Sequence, residues 1–142
     1  MAMTSEATTL WNGDLKSGAG TTKLDSSAAA AALPVSWAAR SQGTPGMTNP
    51  EELLGAAHSA CYSMAIANAL ADFGTPPQSL QVTAAVTFDP AAGISGSHLL
   101  VSAKVAGISE HDFDRIAVEV KETCPVSRAL AGIPITLEAN LA

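Results

Sequence analysis

A long apolar helix in the middle of a short chain constrains this sequence more than any other feature. Asn49-Pro50-Glu51-Glu52 carries in order an N-cap residue, a proline suited to the first helical position and an acidic first turn, with Glu52 placed to close a capping box. No proline follows until Pro76-Pro77, and Gly74 stands where a helix C-terminus favours glycine. The spacing predicts a helix from Pro50 to Asp72 or Phe73, about 35 Å long. Its residues are apolar on most sides, so it forms either the centre of a core or part of a subunit interface.

Shorter elements flank it. Residues 7 to 26 alternate polar and apolar positions around Gly13 and Ser17-Gly18-Ala19-Gly20, a β-hairpin pattern, and a third strand is expected near Pro34 to Trp37. Arg40 to Asn49, with two glycines and a proline, reads as loop. Beyond the helix, Gln81 to Phe88 and His98 to Ala106 read as paired strands joined by a Gly93/Gly96 loop. Ser109 caps an amphipathic helix through Glu122, Pro125 starts a further turn ending near Gly132, and Pro134 to Leu141 reads as a last strand. The order βββ-α-ββ-α-β favours an α+β fold over a doubly wound parallel sheet. No internal repeat, low-complexity linker or boundary interrupts the chain, so residues 1–142 are expected to form a single domain.

Composition narrows the function classes. With 47% apolar and 14% charged residues the chain can bury a core. Seven Lys and Arg against 13 Asp and Glu leave a formal charge of −6, which repels a phosphate backbone and an anionic bilayer, so neither nucleic acid nor membrane is an expected partner. Aromatic residues are only 4%, too sparse for a base-stacking platform. The N-terminus MAMTSEATTLWNGD has neither the basic nor the long apolar region of a secretory signal, and a cytoplasmic protein is expected. In a reducing compartment two cysteines do not make a structural disulfide framework; a pairing there points to catalysis.

Those cysteines are Cys61, on the long helix, and Cys124, between two helical segments. By itself Cys61 reads as a small core hydrophobe. Cys124 takes the N-cap position before Pro125, where amides and the helix dipole favour a thiolate, although Cys-Pro is also simple helix punctuation. Zinc is poorly served: two cysteines and three histidines (His58, His98, His111) show neither a C-x₂-C pair nor H-E-x-x-H. His58 precedes Cys61 by one turn and reads as a hydrogen-bonded helix histidine, with base or orienter as the alternative. Ser59 and Ser127 lack the G-x-S-x-G setting of a serine hydrolase, and no glycine-rich phosphate loop is present.

The string Thr48-Asn49-Pro50-Glu51-Glu52-Leu53-Leu54-Gly55-Ala56-Ala57-His58-Ser59-Ala60-Cys61 resembles the hallmark of the OsmC/Ohr family of organic hydroperoxide reductases. Cys124-Pro125-Val126-Ser127-Arg128-Ala129-Leu130 resembles the family's second-cysteine motif, and Trp11-Asn12-Gly13-Asp14-Leu15 its first strand. The resemblance implies a peroxidatic Cys61 and a disulfide partner Cys124. An arginine and a glutamate complete the site, falling on Arg40 and Glu51. In the OsmC branch the arginine lies just before the helix, matching Trp37-Ala38-Ala39-Arg40; in the Ohr branch it comes from the N-terminal strands, where this chain has none. Cys-Pro-Val-Ser is also nearer to OsmC than the Cys-Pro-Tyr-Ser usual in Ohr. Without the resemblance Glu51 reads as a first-turn carboxylate and Arg40 as a solvated loop charge.

The chemistry explains the residue types. Peroxide reduction needs a thiolate, and an arginine favours one while holding a peroxide oxygen; a glutamate orients the arginine through a bidentate pair. The implied product is a sulfenic acid on Cys61 that Cys124 condenses to a disulfide, reopened by an external dithiol or lipoyl-type reductant, with no metal or flavin cofactor. Glu51 and Cys61 are ten residues apart on one helix, hence about 15 Å along its axis, and do not share a site within one chain. Two such helices crossing near Ala56, where Gly55, Ala56, Ala57 and Ala60 are small, would bring Glu51 of one subunit level with the other's Cys61. The expectation is an OsmC-like fold of two antiparallel-rich sheets around long central helices, in an intertwined homodimer with composite sites. Tyr62, Met64, Met47 and Ile133 are expected to give the site an apolar lining that favours organic hydroperoxides over hydrogen peroxide. The different-class alternative is a non-catalytic stress protein holding a small apolar ligand on the same fold.

Overall fold

A computed structural model describes residues 1–142 and divides them into two compact units, residues 1–50 and residues 51–142. In the first, β1 (Ala7–Asn12), β2 (Ala19–Leu24) and β3 (Leu33–Val35) form an antiparallel sheet in that order. The β1–β2 turn is closed by the Asp14 carboxylate, which accepts 2.7 Å bonds from the Ser17 amide and hydroxyl. Gly18 is required there, because a Cβ would stand 2.2 Å from the Asp14 carbonyl oxygen. Across the strands the Thr9 and Thr22 hydroxyls pair at 2.7 Å.

A short helix, α1 (Trp37–Ser41), replaces the end of the expected third strand and the start of the expected loop. Ser36 caps it, its hydroxyl accepting from the Ala39 amide at 3.1 Å. Five residues are too few to show a helical period, so only the cap could have announced it.

The second unit is built on α2 (Pro50–Phe73), 24 residues long. Its buried residues Glu51, Gly55, His58, Tyr62, Ile66 and Leu70 recur every three or four positions and form one stripe. β4 (Ser79–Asp89) and β5 (Gly93–Lys104) pair as a hairpin, and β6 (Ile135–Leu141) lies parallel to β5. The hairpin is longer than the expected Gly93/Gly96 loop allows. Asp89 closes the turn by accepting from the Ala91 and Ala92 amides, Gly93 takes φ 83°, and Gly96 is paired with Thr87 inside the ladder. The β5–β6 connection carries α3 (Glu110–Thr123) and α4 (Pro125–Ala129), enough chain to return to the same end, so β6 joins parallel.

Ser109 caps α3 as expected, accepting from the Asp112 amide. Phe113, Ile116, Ala117 and Val120 of α3 pack with Tyr62, Ile66 and Leu70 of α2 and with Leu99, Val101 and Ala103 of β5 in one core. Gly55 faces this interior too: a Cβ would lie 2.7 Å from the Ala84 carbonyl oxygen on β4. That corrects its expected place in a helix-crossing face; the other small residues expected there, Ala56, Ala57 and Ala60, are exposed. No helix is long and apolar enough to cross a membrane.

Candidate active site

Cys61 and Cys124 meet. Sixty-three positions apart in sequence, their sulfurs lie 3.1 Å from each other as free thiols. Cys61 sits on α2 with part of its surface open, and Cys124 is fully buried at the junction of α3 and α4. The junction is itself a product of local sequence. Pro125 has no amide to continue α3 and a fixed φ suited to a first helical residue, so one helix ends and the next begins at Cys124. A disulfide needs about 2.05 Å between sulfurs, so oxidation asks for a closing movement of about 1 Å.

Their surroundings separate the two thiols. Burial pushes the Cys61 thiol up; the Val126 amide opposes this and the adjacent Cys124 adds to it. Burial would raise Cys124 as well, but the Ser127 amide, the Cys61 thiol, the Ser127 hydroxyl and the Val126 amide together outweigh it, and the Cys124 thiol titrates below its ordinary value. Cys124 makes no capping hydrogen bond of good geometry, yet these α4 donors still favour its anion. The helix-start signal at Cys-Pro therefore has an electrostatic counterpart.

His58 is fully buried and doubly bonded: Nδ1 lies 2.7 Å from Ser97 Oγ and Nε2 2.8 Å from Ser127 Oγ. A hydrogen-bonded helix histidine is what the sequence suggested; its partners are what it did not. Ser127 stands in the sequence as a serine without a hydrolase motif and as part of the second-cysteine motif, with nothing to tie it to His58, and Ser97, 39 positions from His58 on a strand, carries no sequence signal at all. Burial pushes the His58 imidazole below its usual range.

Arg40 closes α1 in the first unit and is partly buried, whereas Glu51 opens α2 and is 6% exposed. Ten residues of helix separate Glu51 from Cys61, about 15 Å. Of the residues expected to line an apolar pocket, Tyr62 is fully buried in the core with its hydroxyl donating to the Ala117 carbonyl at 2.8 Å. Met64 is exposed on α2, and Ile133 lines a cavity of about 330 Å³ with Lys121, Glu122, Ser127, Arg128, Ala131 and Ile135. No group of three or more His, Cys, Asp or Glu side chains is arranged to hold a metal ion.

Comparison with known proteins places this geometry in a family. The family model for OsmC-like protein matches residues 43–138. Peroxiredoxin OsmC of Escherichia coli (strain K12) is 40% identical over 134 residues, covering 92% of each chain. Among solved structures, an OsmC-like protein from Mycoplasma pneumoniae superposes with a TM-score of 0.68 at 20% identity, over 100% of this chain and 99% of that one. The organic hydroperoxide resistance protein OhrB of Bacillus subtilis gives 0.68 at 20% identity, over 99% and 98%. At that identity the two structures speak for the fold, and the fold is OsmC-like.

Proposed function

The chain belongs to the OsmC-like protein family, and on that premise we propose that it is a cysteine-based peroxidase that reduces organic hydroperoxides to alcohols in defence against oxidative or osmotic stress. The observation that carries the reading is the 3.1 Å approach of the Cys61 and Cys124 sulfurs from distant parts of the sequence. The names of its relatives, a peroxiredoxin and an organic hydroperoxide resistance protein, support the same class of activity.

In the proposed reaction the Cys61 thiolate attacks the distal oxygen of R–O–OH. An S–O bond forms, the O–O bond breaks, and the departing alkoxide takes a proton to become the alcohol. Cys61 is left as a sulfenic acid. Cys124 then attacks that sulfur, forming the S–S bond and expelling hydroxide, which is protonated to water. An external dithiol, of lipoyl or other type, supplies two electrons to restore both thiols. The proposed cycle uses neither metal nor flavin.

Cys61 needs help to ionise, because burial in its own chain works against it. That help is assigned to Arg40, whose guanidinium stays charged, favours the thiolate and holds a peroxide oxygen, with Glu51 orienting it. The 15 Å between Glu51 and Cys61 on one helix is met by a homodimer in which two α2 helices cross over Ala56, Ala57 and Ala60, each site drawing Glu51 from one subunit and Cys61 from the other. The exposed small side chains on that face support such an approach.

Mass-spectrometric titration of the reduced protein with cumene hydroperoxide, alongside Cys61→Ser and Cys124→Ser, tests the reaction. A stoichiometric Cys61–Cys124 disulfide is expected, absent in Cys61→Ser and replaced by over-oxidised Cys61 in Cys124→Ser. If both thiols survive excess peroxide, the catalytic reading fails and a small-ligand-binding protein takes its place.

A further inference from the structure

The two-cysteine reaction leaves the buried imidazole of His58 without a role. His58 is fully buried on α2, Ser97 on β5 is 2% exposed and Ser127 on α4 is 4% exposed, so the imidazole and both its partners are screened from solvent. Ser127 lies three positions after Cys124 in the first turn of α4, and its hydroxyl is among the groups that lower that thiol. Hydrogen bonds thus link Ser97, His58 and Ser127 in a line, and Ser127 stands one turn from Cys124, whose sulfur lies 3.1 Å from that of Cys61.

Proton counting gives the line a direction. A serine hydroxyl has one proton, and a neutral imidazole has one N–H and one bare nitrogen. Ser127 can give its proton to His58 Nε2 or to the Cys124 sulfur, not to both. When Cys124 is a thiolate, one arrangement satisfies every group: Ser97 donates to Nδ1, Nε2–H donates to Ser127 Oγ, and the Ser127 hydroxyl donates to sulfur. The opposite polarity turns a Ser127 lone pair toward the anion and leaves a buried charge short of a donor.

We propose that His58 is a positioning residue for the resolving step: held by Ser97 as the Nε2–H tautomer, it turns the Ser127 hydroxyl onto Cys124 and so keeps that thiolate ready to attack oxidised Cys61. The inference rests on the two-cysteine reading of the site. Burial keeps the imidazole neutral, so it acts through its hydrogen bonds rather than its charge. A serine, not a carboxylate, backs the ring. In the step itself Cys124 forms the S–S bond, the S–O bond of the sulfenic acid breaks, hydroxide leaves and is protonated from solvent, and His58 ends with the proton it began with. The other titratable groups at Cys124 are Cys61 and Tyr62, the latter raised by burial and by Cys124 and bonded to the Ala117 carbonyl; Lys121, Glu122 and Arg128 line the cavity that Ser127 also borders.

Alkylation of the reduced full-length protein with iodoacetamide across pH, resolved by residue in a mass spectrometer, reads the Cys124 midpoint with no peroxide present. Ser127→Ala and His58→Leu are expected to raise that midpoint by about one unit, equivalent to about tenfold less thiolate at a fixed pH below it. His58→Gln, which returns an N–H donor near the place of Nε2, should recover most of the shift. Rapid mixing with cumene hydroperoxide should then show Ser127→Ala slowing disulfide formation about tenfold more than sulfenic acid formation. A wild-type midpoint in folded Ser127→Ala, or a His58→Gln no better than His58→Leu, overturns the proposal. Thermal melting identifies folded variants, and if His58→Leu does not fold, Ser127→Ala, which removes a single oxygen, decides by itself. A wild-type protein that forms no sulfenic acid at Cys61 would refute the peroxidase reading, while the peroxide-free midpoints still decide the role of His58.

Discussion

Residue by residue, the site shows how placement differentiates identical chemistry. Two thiols that touch are driven apart, Cys61 upward by burial and Cys124 downward by the α4 donors that outweigh its burial. The same burial acts on His58 with consequences for stability. Its imidazole titrates below the ordinary value of 6.5 because the cation is penalised in the core. Unfolding restores the ordinary value, so below about pH 6.5 the unfolded chain binds a proton that the folded chain refuses. Stability from this source is full above that pH and falls as the solution is acidified through it. Urea unfolding of reduced protein between about pH 8 and pH 5 should therefore show a steeper loss for wild type than for His58→Gln. Parallel curves would show that the histidine is already solvated or protonated in the fold. Cys61, Cys124 and His58 could be singled out in the sequence; Ser97 could not, because a serine on an alternating strand looks alike whether it meets water or an imidazole.

At the scale of elements, α2 answers two demands with two faces. Its inner stripe is buried against the β4–β5–β6 sheet and α3, and its outer face exposes the small Ala56, Ala57 and Ala60 beside Glu52, Met64 and Asn68. Gly55 marks the inner side. An alanine there gains about 1 kcal/mol of helix propensity, yet its Cβ would stand 2.7 Å from the Ala84 carbonyl oxygen, which belongs to a paired strand and cannot swing away. The clash should win. Gly55→Ala is expected to lose about 1 to 3 kcal/mol, read as a lower guanidinium midpoint, and a stabilised variant would mean that α2 does not press on β4 this closely. The ends of α2 were legible because Asn49-Pro50 and Gly74 are local signals. The β4–β5 hairpin was underestimated because Asp89 closes its turn earlier than the glycines suggested, and pairing then carries through Gly96.

For the whole molecule, the proposed dimer makes a prediction that no single-site argument would make. Glu51→Ala and Cys61→Ser should each have little activity alone. A heterodimer of the two carries one site built from the intact Glu51 of one subunit and the intact Cys61 of the other. Unfolding and refolding the variants together in equal amounts should place about half of the protein in heterodimers and restore about a quarter of wild-type turnover. No recovery on mixing, or an active monomer by sedimentation, contradicts the composite site. The alternative, in which each chain completes its own site, would leave the exposed Ala56, Ala57, Ala60 and Met64 without a role.

The sequence by itself determined the α+β class, the long central helix with its caps, and the two cysteine motifs that place the chain in its family. These are local or linear properties: caps act over three or four residues, periodicity over a dozen, and a motif is read in order along the chain. Only the tertiary structure decided that Cys61 and Cys124 touch, that β6 joins its sheet in parallel, that Gly55 faces inward, and that His58 is held between Ser97 and Ser127. Each of these depends on groups brought together from remote positions, and the free energy of such contacts lies in burial and in hydrogen-bond geometry that exist only once the chain has folded.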